Sequence, residues 1–97
     1  LHMKSISLQQ YSPIISDKEK GNVIYNDIFE LDPQNEQVEI DMAGIMSMTT
    51  FCAKQIFGQL YKKLGSCLFE KNIILKNVSS DVLLIIKMGI KNAVMGN

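Results

Sequence analysis

The chain has 97 residues, 46% of them hydrophobic and 21% charged, the proportions of one globular domain rather than a disordered segment or a two-domain protein. Ten basic side chains balance ten acidic ones, so there is no electrostatic footprint for nucleic acid or for an anionic membrane surface. A chain of this length buries roughly 65% of its unfolded surface, which leaves a modest stability unless copies associate.

The opening "LHM", residues 1–3, reads as a cloning remnant ahead of a single domain over residues 4–96. His2, the only histidine, falls in that remnant. Cys52 and Cys67 therefore lack the base that a cysteine nucleophile needs, and two distant thiols do not make a zinc site. No catalytic residue, metal or cofactor is expected, and the chain reads as non-enzymatic. The two cysteines form neither a CxxC pair nor a disulfide framework, which fits reduced thiols in a cytoplasmic protein. No apolar run approaches the ~20 residues needed to cross a bilayer.

In chain order, "KSISL" (4–8) alternates polar with apolar and predicts a short, half-buried strand with Ile6 and Leu8 on one side. "QQYSP" follows as a turn. Ser16 with Glu19 three residues later has the spacing of a capping box, and a helix is predicted over residues 17–31 with Val23, Ile24, Ile28 and Leu31 on its inner stripe. "DPQNE" (32–36) is a polar turn.

"VEIDM" (38–42) alternates cleanly, placing Val38, Ile40 and Met42 on one strand face and Glu39 and Asp41 on the other. "AGIMSM" turns the chain. A helix over residues 50–64 carries Ala53, Ile56, Phe57, Leu60 and Leu64 at helical spacing, and Gly65 is placed to stop it. "SCLFEK" reads as a connection and "NIILKNV" (72–78) as a buried strand. Ser79 or Ser80 then caps a third helix whose stripe is Val82, Leu83, Ile86, Ile90 and Val94. The order β-α-β-α-β-α predicts an α/β domain, a mostly three-stranded sheet with helices packed on it.

The segments "VEIDMAGIMSMTTFCAKQIFGQLYKKLG" and "IILKNVSSDVLLIIKMGIKNAV" resemble the STAS-like domain family, with "IDMAGI", "TTF" and "LKNVSSDV" the most specific pieces. The resemblance spans Ile6 to Val94 and implies a STAS-like fold. It also implies kinship with the bacterial anti-sigma factor antagonists, in which a partner kinase phosphorylates a Ser or Thr at the same strand–loop–helix corner. By that likeness Thr50 takes the place of the phosphorylated hydroxyl. Thr49 stands where the antagonists have an Asp, and Cys52 where they have a Gly. The implied partner is a protein, a kinase-like ATPase of the anti-sigma type.

The corner can be read physically as well. An oxygen at a helix N-terminus faces unpaired N–H groups and the positive end of the helix dipole. Unmodified, it caps the helix; phosphorylated, it adds charge at a place that tolerates anions, so the fold survives while a docked partner meets new charge. The plainer reading is an N-cap only, and either Thr49 or Thr50 fits it. Around these candidate switch residues the expected partner surface comprises Asp41, Gly44, Met46, Ser47, Met48, Phe51 and Lys54. Asp41 is open between a partner contact and a loop-bonding carboxylate, and the methionines between core filling and an adaptable surface. Phe51 either tucks under the sheet edge or offers an aromatic anchor, and its match to the family's Phe implies packing. The alternative function is a structural homo-oligomer, a homodimer for instance, burying such side chains as Phe29, Tyr61 and Leu68.

Overall fold

The computed structural model describes residues 3–96. Leu1 and His2, two of the three residues read as a remnant, lie outside the described residues, and Met3 begins the first strand. The elements run β1 (Met3–Ser7), β2 (Ile14–Ile15), α1 (Lys18–Glu30), β3 (Gln37–Asp41), β4 (Ser47–Met48), α2 (Thr50–Ala53), α3 (Gln59–Asn72), β5 (Ile73–Lys76) and α4 (Ser80–Met95). A π-helical segment, Lys54–Gly58, joins α2 to α3 without a break.

The α/β architecture and its three-stranded sheet are as the alternation predicts. All three strands are parallel in the order β1-β3-β5, so β3 is central. The register sets Ile40 between Ile6 and Leu75 and Val38 opposite Ile73. Side chains alternate across a strand, so these residues share the face that packs into the helices. The other face carries Ser5, Ser7, Glu39, Asp41 and Lys76 together with Met3 and Ile74, with a Lys76–Glu39 ion pair at 3.5 Å. Helices cover one side of the sheet and a mostly polar surface occupies the other.

Two short strands were not foreseen. Ile14 and Ile15, for which the sequence predicts no element after the "QQYSP" turn, pair in parallel with Ser47 and Met48, inside the segment expected to be a plain turn. The pairing is extended by Met46 N–H to the Pro13 carbonyl (2.8 Å) and Thr49 N–H to the Ile15 carbonyl (3.0 Å). It turns Met48 inward beside Ile15, and Met48 is buried in the core. Met48 is therefore removed from the expected partner surface.

Helix boundaries shift where a better cap was available. Asp17, rather than Ser16, caps α1, its carboxylate accepting from Glu19 N–H at 3.2 Å; an anionic cap gains from the dipole as well as the hydrogen bond. Ser79, not Ser80, caps α4 by accepting from Val82 N–H at 3.2 Å. Val23 and Val94 fall off the buried stripes and are exposed, while Gly89 and Ala93 take the inner face of α4. Gly65 adopts a positive φ of 82°, but the chain turns back into helix after it, so "SCLFEK" is helical and not a connection. Its Leu68 and Phe69 pack against the core, which gives this extra turn its reason to form. Tyr61 meets Phe69 at 5.2 Å between ring centroids and Phe29 stacks on Tyr25 at 5.8 Å. Phe29, Tyr61 and Leu68 are thus half-buried, each packed in part against the domain itself.

The helix from Thr50 is buried on most sides, with Cys52, Ala53, Ile56, Phe57 and Leu60 all fully enclosed. It runs between α1 and α4, and its approach to α4 is backbone to backbone. A Cβ added at Gly89 would lie 2.6 Å from the Ala53 carbonyl carbon and from the Lys54 nitrogen. On an isolated helix Gly→Ala stabilises by about 1 kcal/mol. Here the sign should reverse: Gly89→Ala is expected to destabilise the domain by about 1–3 kcal/mol through overpacking, read from urea unfolding midpoints.

Candidate functional site at the strand–helix corner

In a parallel sheet the strands' C-terminal ends point to one rim, the usual place for recognition in α/β folds. β3 ends there with Asp41. Its side chain is committed to the fold: Oδ1 accepts from Ala43 N–H and from the Asn77 amide, each at 2.9 Å. One carboxylate thereby ties the loop after β3 to the loop after β5. The Asn77 hydrogen bond first, and the Ala43 hydrogen bond second, hold the Asp41 carboxyl below the ordinary aspartate range. Of the two alternatives for Asp41, the loop-bonding carboxylate is the one observed.

From Asp41 the chain passes Gly44, exposed and at a φ of 84°, a backbone conformation that suits a residue without a Cβ. A Cβ there would lie 3.3 Å from the Ser12 Cβ, so this turn rests on the segment before β2. Ser47 is half-buried in β4, opposite Ile14. Met46, one residue earlier, is 74% exposed.

The threonines divide their labour. Thr49 is the N-cap, in extended geometry, and its Oγ1 accepts from Cys52 N–H at 3.1 Å. Thr50 is the first helical residue, half-buried, and its hydroxyl makes no hydrogen bond among the described residues. The cap is therefore satisfied without Thr50. Cys52, two residues on, is fully buried with its Sγ 3.6 Å from the Asp17 carbonyl, a packed thiol.

Phe51 departs from the packing role that the family likeness implied. It is 54% exposed, because the second residue of this helix faces away from the sheet while Cys52 and Ala53 face in. With half-buried Lys54, Gln55 and Gln59 it lines an open depression of about 250 Å³. Ile14 is exposed as well and sits beside Ser47 through the β2–β4 pairing. The rim thus joins Met46, Phe51 and Ile14 with the Thr49–Thr50 helix start. Ile14 and Asn77 were absent from the residues singled out by sequence. An apolar β-branched pair after Pro13 was the signal for the first; nothing local announces that Asn77 will reach Asp41 across 36 positions.

Among the described residues no group of His, Cys, Asp and Glu is arranged to hold a metal, and no helix is long and apolar enough to cross a membrane. A larger open depression of about 790 Å³ lies at the opposite end, near Met3, Gln37 and Asn72, where the strands begin.

Residues 20–83, about two thirds of the chain, match the family model described as STAS-like domain of unknown function (DUF4325). Comparison with curated proteins and with solved structures gives no match.

Two outcomes follow from the geometry. Thr49→Ala should cost about 1 kcal/mol in chemical denaturation, whereas Thr50→Ala should stay within about 0.5 kcal/mol of the parent. Asn77→Gly keeps the left-handed backbone at that position (φ 55°) while removing the amide. It should raise the Asp41 titration midpoint toward the ordinary value, seen by NMR of the carboxyl carbon. The lowered carboxyl contributes stability above the unfolded aspartate pKa and loses it as pH falls through the folded one. The stability gap between parent and Asn77→Gly should therefore narrow on acidification.

Proposed function

This chain belongs to the STAS-like domain family, and from that premise we propose that it is a non-enzymatic regulatory module that docks a protein partner at the strand–helix corner. The observation that carries this reading is the division between the two threonines. Thr49 supplies the cap, and Thr50 keeps an uncommitted hydroxyl at the same helix start, next in sequence to the exposed Phe51 and four residues after the exposed Met46. An aromatic residue and a flexible methionine are the side chains that anchor partner surfaces. The likeness to anti-sigma factor antagonists suggests a kinase-like ATPase of a bacterial cytoplasm as the partner, and Thr50 as the hydroxyl it phosphorylates.

A phosphate on Thr50 would sit beside the free N–H groups of the first turn, where an anion is tolerated. The core beneath, from Cys52 to Phe57, need not move. Partner binding would change while the domain stayed folded. Asp41, pinned to Asn77 and Ala43, serves by holding the neighbouring loops in place rather than as a contact of its own.

The test uses affinity capture from the source cells with three baits: the parent chain, Thr50→Glu and Phe51→Asp. An ATPase retained by the parent and lost from both variants, with melting temperatures unchanged, supports the reading. Intact-mass detection of one added phosphate at Thr50 on incubation with that ATPase and Mg-ATP would establish the switch. If both variants capture the same proteins as the parent, the corner is not the docking surface.

A further inference from the structure

The outer face of α4 presents apolar side chains that the domain leaves uncovered. Val82, Ile86, Gly89 and Ala93 face the core, whereas Leu84 (60% exposed), Met88 (47%) and Met95 (63%) form a stripe on the opposite side. Positions 84, 88, 91 and 95 follow the four-three-four spacing of one helix face, and the fourth member is Lys91, which is exposed. Asp81, in the first turn, flanks the same stripe. Neither Asp81 nor Lys91 takes part in an ion pair among the described residues.

We propose that this stripe joins two copies of the chain through an antiparallel α4–α4 contact, with the twofold axis passing outside the helix at the level of Ile86. A second copy is chosen over other occupants because the stripe is complementary to itself in charge. A twofold axis there brings together positions equally far before and after Ile86 in the sequence. Leu84 then meets the partner's Met88, and Met88 the partner's Leu84. Asp81 meets the partner's Lys91, and Lys91 the partner's Asp81, each pair about 7.5 Å along the helix from the axis at 1.5 Å per residue. Ser80 and Asn92, one position further out, provide a matching polar pair at the rim.

Other arrangements lose this match. A parallel pairing sets Asp81 against Asp81 and Lys91 against Lys91, and like charges face to face are unfavourable. Moving the axis to the level of Met88 sets Lys91 against Ile85 and Asp81 against Met95, leaving both charges against apolar side chains. The antiparallel arrangement also sets the two helix dipoles head to tail. An apolar centre of two Leu84–Met88 contacts with an ion pair at each end is the pattern of a small, reversible interface. The contact is independent of Thr50 and of the corner reading.

Sedimentation velocity of the full chain across a concentration series, from micromolar to millimolar, tests the contact. The parent should pass from monomer to dimer. Leu84→Asp should remain monomeric throughout with an unchanged far-ultraviolet circular dichroism spectrum. Asp81→Lys and Lys91→Glu should each weaken the dimer by about tenfold or more, because each places like charges opposite one another twice. The double variant Asp81→Lys/Lys91→Glu should recover most of that loss, a result that a general effect on helix stability would not produce. A parent that stays monomeric over the whole series overturns the proposal. So does a dimer insensitive to Leu84→Asp, or a charge reversal that the double variant fails to rescue.

Discussion

The backbone contact between the segment Ala53–Lys54 and Gly89 of α4 is the constraint from which the rest of the arrangement follows. Two helices can approach this closely only where side chains are missing or minimal, and Ala53, Gly58, Gly89 and Ala93 meet there. Over the same stretch the helix widens into π geometry, and this is the part of the chain most enclosed by its neighbours. Ile56 and Phe57 are driven between α1 and α4. The middle of the helix is held between α1 and α4. Thr49 and Thr50 begin this helix at the sheet rim, with their side chains outside the core.

Hydrogen bonds fix the shape of the corner. The loop entering it is stitched by backbone hydrogen bonds to Pro13 and Ile15, and the carboxylate of Asp41 closes the turn after β3 while reaching Asn77 beyond β5. Polar groups here are mostly satisfied within the chain. Exposed at the corner are the apolar side chains of Met46, Phe51 and Ile14, with the Thr50 hydroxyl beside Phe51 in sequence. Gln55 lines the same depression as Phe51, and its buried Oε1 has no partner among the described residues.

The sheet has one covered face and one mostly polar face, an uncommon state for parallel strands, which are usually buried on both sides. The period-two pattern of "VEIDM" anticipates it: a strand buried on both faces would not carry Glu39 and Asp41 opposite Val38 and Ile40. The open face keeps its charges partly satisfied through the Lys76–Glu39 pair rather than seeking a second helical layer.

Periodicity and end signals determined most of the local architecture: three strands, three helical regions, the inner stripe of the central helix, and a threonine cap where β-structure gives way to helix. These are legible because each depends on residues within one or two turns of one another. The family likeness was legible for the same reason, resting on contiguous strings. Tertiary structure decided which threonine caps, since the cap falls to the residue whose backbone is drawn into pairing with Ile15. It decided that Met48 turns inward and Phe51 outward, because a two-residue strand paired to a distant segment sets the phase of everything after it. It also decided that the chain resumes its helix beyond Gly65, where Leu68 and Phe69 find a surface to cover. Local spacing records which side chains share a face; which of those faces finds a neighbour depends on contacts between residues far apart in the chain, and a single string of residues does not carry that information.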